Sequence, residues 1–346
     1  MKKLFYLCII TIIASTATAN AQDFKTPVEY LQFITSENDK LNNQVWQYTK
    51  AVAHDKRPKK IEKTRKLLVV QIQNSREKIK KAASYNNDDT YKNQFIEFLN
   101  IYENVINNDY AKIVDMKEIA EQSYDYMEAY ILMQEQVDKK LETALDSINK
   151  SQGVFAKKYD VTLLEGKETK LAKKMKISND VFKHKNSTYL PFFKANFQES
   201  ELVVSLSSNN VGEIQQKAST LLLFANEGLD TLAQIKPYQN DTSLLKATKD
   251  VLLFYKDEAE VQIPIMIDFL LLNDKIEKMG KAIENKKPKD RTKEEIEEYN
   301  NLIKDVNKQV AAYNKTNDVL NKERSRLLQQ WESTSNNFLS QHIPKN

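Results

Sequence analysis

The chain of 346 residues contains one cysteine, three histidines, five glycines and seven prolines. A single cysteine, Cys8, excludes an internal disulfide, so stability has to come from packing. Tight turns draw on glycine and proline, and so few of both excludes a turn-rich β architecture. Long helices with short connections remain. The three histidines, His54, His184 and His342, belong to no Glu-x-x-His pair and to no HExxH sequence, the helical patterns that carry di-metal carboxylate and zinc hydrolase sites. No serine stands in a glycine-flanked elbow and no glycine-rich phosphate loop occurs. The chain therefore reads as non-catalytic, with no cofactor and no metal.

What is present agrees with helices. Charged residues make up 29% of the chain and apolar ones 41%, enough for solvated faces around a core. The N-terminus has the form of a secretory signal. Lys2 and Lys3 precede the apolar run Leu4 to Ile13, and Ala19-Asn20-Ala21 offers a small-x-small cleavage site. Cleavage is expected before Gln22, placing the protein in the periplasm or on the cell surface. The mature chain then has no cysteine and, beyond residue 21, no apolar run long enough to span a membrane. Loss of Lys2 and Lys3 leaves 50 basic and 48 acidic residues, a balance that selects no partner.

An internal repeat organises the rest. A shift of 153 positions lays residues 61–116 on 214–269 with eight identities, where roughly four would arise by chance. Ile61 meets Ile214, Leu68 meets Leu221, Tyr85 meets Tyr238, Asn87-Asp88 meets Asn240-Asp241, Leu99 meets Leu252, Tyr102 meets Tyr255 and Asp115 meets Asp268. Thr26-Pro27-Val28-Glu29 opens the first helix, with Leu31, Ile34, Leu41, Val45, Tyr48 and Val52 on its buried side. A second helix over about 59–84 precedes a polar turn at Tyr85–Asp88, and a third carries Tyr91, Phe95, Leu99 and Tyr102. Asn107-Asn108-Asp109 weakens that third helix, and a long one follows from about Asp115 to Tyr159. Pro191 and Pro264 predict kinks or breaks. Asp115 and Asp268 read as helix caps. A shorter match, Asn149–Gln152 with Asn314–Asn317, has an offset of 165. It predicts about twelve extra residues in the second half, near the basic loop Glu284 to Arg291.

The last helix begins with a capping box, Thr292 and Glu295. Alternating steps of three and four give Ile296, Tyr299, Ile303, Val306, Val310, Tyr313, Asn317, Leu320, Arg324, Leu327, Trp331, Thr334 and Phe338, ten of them apolar. That is a coiled-coil-like seam roughly 70 Å long. It packs within the chain or, alternatively, joins two copies as a homodimer.

One stretch departs from the repeat. Lys56, Arg57, Lys59, Lys60, Lys63 and Lys66 concentrate positive charge, whereas Lys217 is the one basic residue between Glu213 and Ile235. The functional reading is a docking surface for an anionic partner, and the plain one is a solvated helix face. Nucleic acid is not expected, since no nucleic-acid motif accompanies the charge. Tyr124, Tyr126 and Tyr130, and Tyr189, Phe192, Phe193 and Phe197, read as core aromatics or as a glycan- or peptide-stacking groove.

The segments 46–55 (WQYTKAVAHD), 109–126 (DYAKIVDMKEIAEQSYDY) and 313–324 (YNKTNDVLNKER) resemble an uncharacterised family of exported bacterial surface proteins of the spirochaete and flavobacteria type. The resemblance implies an exported location and supplies no functional residues. The two-halves plan is also similar to imelysin-like proteins. Their His-x-x-Glu signature is missing, because Arg57, Ser187 and Lys345 stand third after the three histidines. The expected fold is all-α: an elongated antiparallel helical bundle of two related halves, 22–159 and 178–346, joined by a linker or helix start at 160–177. The expected function is a helical interaction protein with an unknown protein, glycan or anionic surface partner. The alternative is a binding module using the basic helix 56–81 or an aromatic groove.

Overall fold

In the computed structural model the described residues are 24–55, 57–109, 123–163 and 169–345. The signal sequence, Lys56 and Asp115 lie outside them. The regular structure is helical and no strand is formed among the described residues. The helices are α1 (Pro27–His54), α2 (Pro58–Lys81), α3 (Thr90–Asn104), α4 (Tyr124–Lys158), α5 (Lys170–Leu206), α6 (Val211–Gln234), α7 (Ser243–Asp257), α8 (Ile263–Glu284) and α9 (Lys293–His342). The chain divides into two compact units. One runs to Lys183 and takes in the stretch from Leu339, and the other is His184–Phe338.

Local chemistry sets the helix starts. Thr26 accepts from the Glu29 N–H at 3.1 Å with Pro27 at the first turn, and the Glu29 carboxylate reaches back to the Lys25 N–H. Ser123 caps α4 and Asn210 caps α6 in the same way. At α9 the capping box is complete. Thr292 Oγ1 accepts from the Glu295 N–H at 3.1 Å, and Glu295 accepts from the Thr292 N–H at 3.2 Å.

The repeat is visible element by element. A shift of 153 carries α2 onto α6 and α3 onto α7 at both ends. It also carries a π-helical segment at Val105–Asp109 onto one at Glu258–Gln262. The turns match in backbone detail. Tyr85 bridges Asp88 as Tyr238 bridges Asp241, across two successive left-handed residues in each. These are Asn86 (φ 47°) and Asn87 (58°), and Gln239 (48°) and Asn240 (69°). Two successive positive φ values make a type I′ turn, where asparagine is among the few side chains tolerated. Asp88 and Asp241 then each accept the N–H of the second residue on, Thr90 at 2.9 Å and Ser243 at 2.8 Å.

Each unit has its own core. In the first, Tyr30, Leu31, Ile34 and Leu41 of α1 meet Leu68, Ile72 and Ile79 of α2, Tyr91, Phe95, Phe98 and Leu99 of α3, and Ala144, Ile148 and Phe155 of α4. Val52 is 40% exposed, and in the last turn of α1 it is Ala51 that is buried instead. In the second unit, Phe192 stacks on Trp331 with ring centres 3.9 Å apart, and the Trp331 indole N–H donates to Thr248.

Several expectations change. α5 runs unbroken through Pro191, and Pro264 instead follows the π segment in the first turn of α8. Asp268 is exposed well inside α8 and caps nothing. The offset of 165 for the last helix is wrong. Under a shift of 183, the buried residues Val137, Ala144, Ile148, Gln152, Phe155 and Ala156 of α4 fall on Leu320, Leu327, Trp331, Ser335, Phe338 and Leu339 of α9, all buried. The second repeat has therefore gained 30 residues rather than twelve. They extend the hairpin of α8 and the start of α9, held by Phe269 on Tyr313 and Gly280 against Tyr299. There the seam is only half covered: Ile296 is 43% and Val310 37% exposed, whereas Leu320, Leu327 and Phe338 are buried.

Candidate functional site

The densest chemistry in the second unit is a buried ionic cluster that the sequence reading did not identify. Arg324, on α9, donates from Nε to Glu199 of α5 and from Nη2 to Glu258, the first residue of the π segment. Both carboxylates are almost fully buried, Glu199 at 2% and Glu258 at 0% exposure. Glu258 Oε2 has no hydrogen-bond partner among the described residues. Phe254, one turn before, lies under the guanidinium at 6.0 Å. The buried Tyr255 donates its hydroxyl to Asn196 Oδ1 at 2.7 Å.

Two carboxylates share one guanidinium, so the cluster carries one excess negative charge when both are ionised. Burial raises the Glu258 carboxyl to about 7, with Arg324 opposing the shift and Glu199 adding to it. Burial also pushes Glu199 up, against the pull of Arg324. The Tyr255 hydroxyl is driven well above its ordinary range by burial and then by the neighbouring carboxylates. Near neutral pH the cluster can therefore take up or release a proton at Glu258.

The repeat shows that the fold does not require this cluster. A shift of 153 puts Val105 in place of Glu258, and a shift of 183 puts Leu141 in place of Arg324. In the first unit Val105 is fully buried, with Val137 and Leu141 packed around it. The same positions hold an apolar contact in one copy and an ion pair in the other. The traces in sequence were slight: Arg324 interrupts the apolar seam, and Glu258 falls opposite a valine.

The first unit buries a carboxylate of its own. Glu37 accepts from Ser75 Oγ at 2.8 Å and pairs with Lys40 at 2.5 Å, with Lys78 at 3.7 Å. Here two lysines and a hydroxyl satisfy a single acid. Arg65 holds Glu62 and also donates to the Ile106 carbonyl and Asn107, which ties α2 to the π segment.

The predicted basic residues separate into two groups. Asp55 takes Arg57 at 3.0 Å and Lys60 at 2.6 Å, and the two cations hold its carboxyl well below the usual range. Lys66 has a loose contact to Glu62 at 3.8 Å. Lys59 and Lys63 are exposed and make no ion pair among the described residues. Of the aromatic candidates, Phe192 and Phe193 are buried and Tyr189 packs on Phe192, Phe193 and Trp331. This is core packing. Tyr126 is 51% exposed. His184 packs on Tyr238 and Phe338. Among the described residues no three His, Cys, Asp or Glu side chains converge as a metal site requires. None of their helices is long and apolar enough to cross a membrane.

The chain matches no protein-family model, no curated protein and no solved structure.

Proposed function

We propose that this chain is an exported, non-catalytic helical interaction protein of the periplasm or cell surface. The observation that carries the reading is how its converging ionisable groups are spent. Glu199 and Glu258 close on Arg324, and Glu37 closes on Ser75, Lys40 and Lys78. Each set is directed at another part of its own unit, as in a scaffold that presents surfaces. Export rests on the N-terminal sequence, with its lysine pair, apolar run and Ala19-Asn20-Ala21. Cell fractionation with surface proteolysis and N-terminal sequencing tests it. The expected result is a mature protein beginning at Gln22 in the periplasmic or protease-sensitive fraction. Cytoplasmic protein that still begins at Met1 would overturn it.

A second reading, a binding module for an anionic ligand, is favoured by one specific feature. Lys59 and Lys63 project from α2 without internal partners among the described residues. The aromatic groove is the weaker form of this reading, because Phe192 and Phe193 are consumed in the core.

A further inference from the structure

We propose that the outward face of α2 docks the protein onto an anionic phospholipid surface. This rests on the second reading above and narrows it to one occupant. At 100° per residue, Lys59, Lys63, Lys66, Leu67 and Val70 fall within an arc of about 100° on α2, and all five are exposed. Leu67 is 48% and Val70 49% exposed, on the face opposite the fully buried Leu68, Ile72 and Ile79, and what sets them apart is their place among the lysines. Asp55 offsets one of the two charges of Arg57 and Lys60, and Lys66 touches Glu62 only loosely. The stripe offered to a partner is therefore Lys59 and Lys63, which make no ion pair among the described residues, with Lys66 beside them.

The repeat provides an internal control. α2 carries nine basic and two acidic residues. Its counterpart α6, equal in length, carries one basic and three acidic ones. The positions matching Lys59, Lys63, Lys66, Leu67 and Val70 are Gly212, Gln216, Ser219, Thr220 and Leu223. Leu223 is 54% exposed, so an open apolar side chain here is shared by both copies. The lysines around it are not. Folding the hairpin thus does not need the cationic stripe, which leaves it free for binding.

Charge complementarity fixes the sign of the occupant, and the apolar pair fixes its kind. Three lysines along one face attract any polyanion. A soluble polyanion has no use for Leu67 and Val70, which stand among those lysines. At a lipid surface the lysines meet head-group phosphates while the two apolar side chains enter the acyl boundary, as in helices that lie in the interface plane.

The test is co-sedimentation of residues 22–346, which include every described residue, with vesicles of phosphatidylglycerol and phosphatidylcholine (3:7). Vesicles of phosphatidylcholine alone, and binding to soluble polyphosphate, run alongside. The expected result is partitioning onto the anionic vesicles only. It should fall about tenfold or more in K59E/K63E/K66E, and severalfold in L67S/V70S. Circular dichroism should show both variants folded, and L223S should partition like the wild type. If polyphosphate binds and the vesicles do not, the lipid inference falls while the anionic-ligand reading stands. Absence of binding to both overturns both. L67S/V70S partitioning as well as the wild type would also overturn the lipid inference.

Discussion

Glu258 pairs with Arg324 at the two positions that Val105 and Leu141 fill in the other copy of the repeat. One backbone plan, π segment included, accepts both an apolar contact and an ion pair at this point. Replacing a buried ion pair by well-packed apolar groups is often neutral or stabilising, whereas removing one partner is costly. The cluster therefore costs desolvation that the first unit avoids at these two positions.

Arg324→Met should be the most damaging single change in the second unit. It leaves Glu199 and Glu258 buried, close together and without a counter-charge. A loss of about 3–5 kcal/mol at pH 7.5 is expected, measured by urea unfolding. The triple change E199Q/E258V/R324L, which approximates the first unit, should recover most of it. A mild R324M effect would mean that water reaches the pair.

Stability should fall as pH rises from about 4.5 to 7. Glu258 has its carboxyl raised from the ordinary 4.5 to about 7 by burial, so within that window the folded state binds more protons than the unfolded one. The slope of unfolding free energy with pH is then negative. Its contribution is fully present below pH 4.5 and is lost as pH rises through about 7. Glu199, shifted the same way, reinforces it, while Arg324 opposes both. Glu258→Gln should flatten the decline and be more stable than the wild type at pH 7.5. Melts of both proteins from pH 4.5 to 8 decide the point, and parallel curves would count against the assignment.

The paired I′ turns predict matching sensitivities. Asn87 and Asn240 occupy the second left-handed position of each turn, at φ 58° and 69°. A β-branched side chain there meets the steric cost of left-handed backbone, roughly 1–2 kcal/mol. Asn87→Val and Asn240→Val should each destabilise by about that much, and the glycine variants by little. Thermal unfolding of the four variants tests whether the turns are equivalent in energy as well as in geometry.

Gly153→Ala should stabilise. Gly153 lies inside α4, and a methyl group added there meets nothing within 4 Å. Glycine costs about 1 kcal/mol relative to alanine in a helix interior, so a gain of roughly that size is expected in urea unfolding. A loss would mean that α4 bends at this point in solution.

Much of the fold was legible because its causes are local. Thr26, Asn210 and Thr292 cap the helices they precede, since a side-chain oxygen has to meet an N–H three residues on. The Tyr85–Asp88 and Tyr238–Asp241 turns were visible as identities because few residue types tolerate their backbone. The expected weakness at Asn107–Asp109 is a π segment, a local widening of the helix whose form the sequence did not specify. The basic stretch is plain in the sequence, but that Asp55 draws Arg57 and Lys60 to itself is not.

By itself, then, the sequence determined the all-helical class, the register of the repeated hairpins, their turns and the caps at Thr26, Asn210 and Thr292, all governed by contacts a few residues long. Only the tertiary structure decided the 183-residue offset of the last helix, which follows from which side chains are buried together. Only it joined Arg324 to Glu258 across 66 residues and to Glu199 across 125. The reason is physical. Propensity and capping act along the chain, but the fate of a buried charge is set by what packs against it, and no local pattern encodes which distant helix will supply the partner.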